Sequence, residues 1–72
     1  MDRTLVSSSS LRSVGYDKVS LVLEIEFVDG GVYQYSDVPV QEYTSLMAAR
    51  SLGGYFAKQI KTGGYPCRPI SR

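Results

Sequence analysis

The sequence predicts an α+β fold: a three-stranded antiparallel β-meander followed by two helices packed on one face, with a C-terminal extended segment returning to the sheet. Three observations lead there. Leu21, Leu23, Ile25 and Phe27 alternate at period two, the spacing of a strand that buries one face. Asp29-Gly30 follows as a turn signal, because glycine accepts the positive φ that a tight hairpin demands. Beyond Asp37 the apolar spacing changes to three and four, which is helical.

Residues 1–6 read as a loosely held start. Ser7 to Ser10 is too short for low-complexity disorder, and its hydroxyls suit capping the strand that follows. Leu11, Val14 and Tyr16 mark that strand, Leu11 to Tyr16, which should pair with Leu21–Val28 as consecutive strands usually do. Val32 to Tyr35 is the third strand. A two-residue loop at Asp29-Gly30 would pair Phe27 with Val32 and turn Tyr33 and Tyr35 toward Glu24 and Glu26. A three-residue loop, Val28 to Gly30, pairs Ile25 with Tyr33 and Leu23 with Tyr35. One residue of slip flips every side chain, and the three-residue loop is favoured because it gathers the large rings on one face. Val22, Val28 and Val32 then lie on the outer face, as candidates for a subunit interface.

Pro39 suits the first position of a helix running to Arg50, since its missing N–H is no loss there. Val40, Tyr43, Leu46 and Met47 form its apolar stripe, with Gln41, Thr44 and Ser45 outward. Ser51 is placed to cap a second helix that buries Tyr55, Phe56 and Ile60. Gly53 and Gly54 in its first turn cost about 1 kcal/mol each against alanine, which makes sense where a backbone or a ligand approaches closely. Gly63-Gly64 ends the helix, and Tyr65 to Ile70 should run extended.

At 72 residues the chain is one domain. A domain this small buries only about 60% of its surface, so self-association is a natural way to add core. Cys67 is the sole cysteine and histidine is absent, which excludes an internal disulfide, a structural zinc site and an ordinary catalytic triad. The free thiol fits a reducing cytoplasm. The apolar runs are too short to span a membrane, and Met1-Asp2-Arg3 does not open a secretory signal. A soluble cytoplasmic homo-oligomer without cofactor is expected.

Charge divides the chain. Residues 1–42 carry three cations against seven carboxylates, whereas residues 43–72 carry five cations and no carboxylate. Catalysis is poorly supported: Cys67 has no imidazole to activate it, and Glu24 and Glu26, neighbours on one strand face, fit a solvated surface better than an acid–base pair. Binding is better supported. Tyr33, Tyr35 and Tyr65 offer rings for stacking, and Arg50, Lys58, Lys61 and Arg68 offer charge for phosphate, the combination used for nucleotides. Ser51, Gly53 and Gly54 would let a helix start approach the same anion. The bland reading of these rings is that they build the core of a tryptophan-free domain.

Ser8-Ser9-x-Leu11, Gly15-Tyr16-Asp17, Ile25-Glu26-Phe27 with Gly30, Tyr33-Gln34-Tyr35 and Val38-Pro39 together resemble the KTSC domain. So do Ser51-x-Gly53-x-Tyr55-Phe56 with Ile60, and Tyr65-Pro66-x-Arg68-x-Ile70. The resemblance spans about residues 7–70, departing at Gly63-Gly64 and at Ser10, where a polar amide is common. That family is found at the C-terminus of some lysyl-tRNA synthetases and as free-standing proteins of bacteria and phages, and the resemblance implies an RNA-binding role. Small phage proteins of this size also include oligomers that sequester cyclic nucleotide immune signals, an analogy of size and context. A near-neutral chain suits a small phosphorylated nucleotide, a cyclic dinucleotide included, better than a long phosphate backbone. The expectation is therefore a non-catalytic nucleotide-binding protein. RNA binding is the alternative, and a structural protein-interaction module the second alternative.

Overall fold

The computed structural model describes residues 1–71; Arg72, counted above with the basic half, lies outside them. Five strands form one antiparallel sheet in sequence order: β1 (Arg3–Leu5), β2 (Leu11–Asp17), β3 (Val22–Phe27), β4 (Val32–Tyr35) and β5 (Cys67–Ser71). The three central strands are the expected meander. The start of the chain is not loose, however: Arg3, Thr4 and Leu5 pair with Gly15, Val14 and Ser13 and add an edge strand. The returning C-terminal segment pairs fully with β4, so the sheet has five strands rather than three.

The β3–β4 register is the three-residue-loop one, with Ile25 opposite Tyr33 and Leu23 opposite Tyr35. Gly30 takes φ 100° in the loop, and the Asp29 carboxylate accepts from the Gly31 amide at 3.0 Å. Directly opposed residues share a face, so both tyrosines join Leu23 and Ile25 on the side the helices cover. Leu21 does not continue that alternation. It sits outside β3 in the left-handed region at φ 59°, a conformation costing roughly 1–2 kcal/mol for a residue with Cβ, and its carbonyl accepts from the Val38 amide at 2.9 Å.

In β2 the pairing with β3 slips between Leu11 and Ser13, leaving Arg12 as an extra, bulged residue. The bulge lets Leu11, Val14 and Tyr16 all face the helices while Ser13 and Gly15 face away.

The first helix, α1 (Val40–Ala48), is shorter than the expected span, and Pro39 is its N-cap in extended conformation rather than its first helical residue. Of its stripe only Leu46 is fully buried, and Val40 is exposed. Ser51 caps α2 (Leu52–Tyr55) as expected, its hydroxyl accepting from the Gly54 amide at 3.0 Å. From Phe56 to Ile60 the chain widens into a π-helical turn, closed by the Lys61 amide on the Phe56 carbonyl at 2.8 Å. Phe56 and Ile60 are the buried residues of this turn. They meet Leu11, Leu23, Ile25, Tyr35 and Leu46 in one core. Among the described residues no helix is long and apolar enough to cross a membrane.

Candidate functional site

Phe56 organises the aromatic end of the core. Its ring lies edge-on to Tyr35 at 5.4 Å and to Phe27 at 5.5 Å, and Phe27 in turn lies edge-on to Tyr33 at 5.6 Å. Edge-to-face contacts of this kind fix ring orientation beyond what area burial does. Tyr35 is enclosed by them, and its burial pushes the phenol well above its ordinary pKa, with the adjoining Cys67 thiol adding to the shift. Tyr33, nearer the hairpin end, keeps 36% of its surface open.

The opening beside it is a groove of about 350 Å³ lined by Phe27, Asp29, Tyr33, Tyr35, Lys61 and Cys67. Three of the expected ligand residues, Tyr33, Tyr35 and Lys61, therefore converge. Phe27, Asp29 and Cys67 were not anticipated there. The register that puts Tyr33 opposite Ile25 also places Phe27 diagonally beside it, so the signal for Phe27 was present in the pairing.

The other expected residues go elsewhere. Arg68 projects from the opposite face of the sheet, donating to Gln34 Oε1 at 3.2 Å. Tyr65 donates to Glu42 at 2.8 Å, and Tyr55 donates to the same carboxylate, so Glu42 ties α1 to α2 and to the approach of β5. Both phenols are held above their ordinary pKa: for Tyr55 by the Glu42 hydrogen bond first and burial second, for Tyr65 by burial first and Glu42 second. Arg50 is exposed between α1 and α2, and Lys58 is exposed on the π turn. Ser51 is occupied by its cap. The glycines are explained by packing within the chain: a Cβ on Gly53 would run into the Ser10 hydroxyl, and one on Gly54 would meet Ser51 Oγ at 3.0 Å. Around the expected phosphate seat, Gly53 thus packs against Ser8 and Ser10 and Gly54 against Ser51.

The outer face of the sheet carries a second arrangement. Arg3 Nη1 donates to Glu24 Oε2 at 2.5 Å, Gln34 Nε2 donates to Glu24 Oε1 at 2.8 Å, and Arg68 reaches Gln34. Arg3 on β1 reaches Glu24 on β3 only because the intervening residue of β2 is Gly15, where a Cβ would stand 3.0 Å from Arg3 Cγ and 2.7 Å from the Asp2 carbonyl. Burial would raise the Glu24 pKa, but hydrogen bonds from Gln34 and Arg3 outweigh it and the net direction is down. Ser13 donates to Glu26 Oε1 at 2.7 Å. The two glutamates are therefore committed to neighbours, and Val32, one of the interface candidates, lies on this outer face as expected but is buried within the chain.

A larger open cleft of about 690 Å³ lies toward Tyr16 and Tyr43. Those rings stack on each other at 4.6 Å and 7°, and the Tyr16 hydroxyl is spent on the Val38 carbonyl at 2.6 Å. The groove at Tyr33 is the better candidate because it joins an open ring to a cation that has no ion-pair partner among the described residues.

Comparison with known proteins agrees with this architecture. The sequence model of the KTSC domain matches residues 7–65. A protein of Stutzerimonas stutzeri (strain A1501) is 43% identical over 65 residues, covering 90% of this chain and 92% of its own. A protein of Tsukamurella paurometabola is 36% identical over 56 residues, covering 78% and 84%. The crystal structure of a KTSC domain protein from Yersinia pestis superposes with a TM-score of 0.90 at 42% identity, over 96% of each chain. The chain belongs to the KTSC domain family.

Proposed function

We propose that this chain binds a small phosphorylated nucleotide without converting it, as a homo-oligomer that holds the ligand and returns it intact. The observation that carries this reading is the groove in which the open Tyr33 ring and Lys61 share a wall. A base stacked on Tyr33 and a phosphate at Lys61 would use both. A stacked base is worth about 1–3 kcal/mol and a charge-assisted hydrogen bond about 1.5–3 kcal/mol, enough together for micromolar affinity once further contacts are made. The spread of the other cations supports a small ligand over a strand. Arg50, Lys58 and Arg68 do not line the groove, so the described residues lay no basic track of the kind a phosphate backbone follows from Lys61. The commitment of Glu24 and Glu26 to Arg3, Gln34 and Ser13 supports binding over turnover.

Calorimetry against mononucleotides, cyclic dinucleotides, short single-stranded RNA and a transfer RNA tests this. Saturable binding independent of strand length, weakened about fivefold or more by Tyr33→Ala, with intact ligand recovered after denaturation, is the expected result. Affinity that grows with strand length and falls steeply with salt would replace it with RNA binding. Multiple turnover of any nucleotide would make the protein an enzyme, and binding to none of these ligands would leave an interaction module.

A further inference from the structure

We infer that the groove selects its nucleotide by charge, accepting one phosphate group and rejecting polyphosphates, with Asp29 as the selecting residue. This rests on the nucleotide reading above and goes beyond it to the class of ligand. Among the described residues the lining holds one cation, Lys61, and one carboxylate, Asp29; the others are rings and a thiol. A single phosphate monoester or diester is matched by Lys61 alone. A di- or triphosphate brings further negative charges into a groove to which the described residues give no second cation and a fixed anion.

Asp29 is fixed by the turn itself. One carboxylate oxygen accepts from the Gly31 amide at 3.0 Å, which orients the side chain, and the other is bonded to no group of the described residues. Gly31 also lets the carboxylate and the stacking ring approach each other: a Cβ there would stand 3.3 Å from Tyr33 Cε1 and 3.4 Å from Asp29 Oδ1. The negative charge is therefore held beside the ring on which the base would lie. Discrimination of this kind comes from a repulsive element as much as from an attractive one.

The test is a calorimetric series at low salt: adenosine, its monophosphate, cyclic monophosphate, diphosphate and triphosphate, with the guanosine series in parallel. In the wild-type protein the monophosphates should bind tightest in each series. Lys61→Gln should bring them down to the level of the nucleoside. Asp29→Asn keeps the oxygen that accepts from Gly31, so the turn is retained. It should strengthen triphosphate binding about three- to tenfold, the scale of one charge pair several ångströms apart near a wet surface, while monophosphate binding moves less than twofold. Raising the salt should shrink that difference. Triphosphates binding tightest to the wild type, or a rank order unchanged by Asp29→Asn, would overturn the charge filter and leave nucleotide binding standing. No binding anywhere in either series would overturn both.

Discussion

On its covered face the sheet buries Leu23, Ile25 and Tyr35 against Leu46, Phe56 and Ile60. On its open face it buries Glu24 and Ser13, each hydrogen-bonded to groups of that same face. Hydrophobic packing stabilises in proportion to area and is indifferent to direction. A buried carboxylate is tolerable only where its lone pairs are met. Among the described residues no buried side-chain nitrogen or oxygen lacks a partner, so the open face closes its own network. A ligand is left with little to satisfy there. Open ring surface and a cation with no partner among the described residues meet at the end of the covered face, at Tyr33 and Lys61, which is why binding is proposed there.

The largest expected effect comes from breaking the covered face. Phe56→Ala should cost about 3–5 kcal/mol, because Phe56 contacts both Tyr35 and Phe27 and leaves a cavity beneath the groove. That is a large part of the stability of a domain this size. Urea titration measures it, and a loss below about 1 kcal/mol would mean the core is not centred on this ring.

Breaking the open face should cost less. Glu24→Ala removes the acceptor for both Arg3 and Gln34, yet the Arg3 side chain is 30% exposed and can return to water. A loss of about 1–3 kcal/mol is expected. In a double-mutant cycle with Arg3→Ala the two changes should be strongly non-additive. Additive losses would show that the relay is decoration.

The two faces should also fail at opposite ends of the pH scale, the smallest effect of the three. Glu24 is held below its ordinary pKa, as is Asp17 through the Val19 and Ser20 amides. Their contribution is present above the ordinary carboxylate range and is lost as pH falls through the lowered values, below about pH 4. Tyr16, Tyr35, Tyr55 and Tyr65 are all raised. Their contribution is complete below about pH 10 and is lost as pH climbs through the raised values. Thermal melts across pH should show Glu24→Gln flattening the acid limb alone and Tyr35→Phe the alkaline limb alone.

What the sequence made legible follows the same division. Period-two spacing found β3, ring placement chose the hairpin register, and Ser51 announced its cap, since each depends on neighbours in sequence. The Leu11, Val14, Tyr16 spacing of three then two was itself the mark of the bulge at Arg12. The reach of Arg3 over Gly15 to Glu24 was hidden, because it joins residues 21 positions apart. The same is true of Glu42, whose two tyrosine partners come from different elements. Of the site, the Tyr33, Tyr35 and Lys61 wall was readable. The dispersal of Arg50, Lys58, Tyr65 and Arg68 was not, since proximity in sequence says nothing about which side of a sheet a residue leaves from.

The slips in pairing at Arg12, between β2 and β3, and at Ile70, between β4 and β5, have a consequence for how chain length relates to shape. Within a regular strand, losing one residue turns every side chain beyond it to the wrong side. At these two points a supernumerary residue already interrupts the ladder; the loss of Arg12, for one, would join Leu11 directly to Ser13 with each still on its own side. Residue count and side-chain placement are uncoupled there. The carbonyl of Arg12, which accepts from Val6 at 3.1 Å, would go with it, so the cost of such a deletion would fall on the hold over the first strand while the core kept its order.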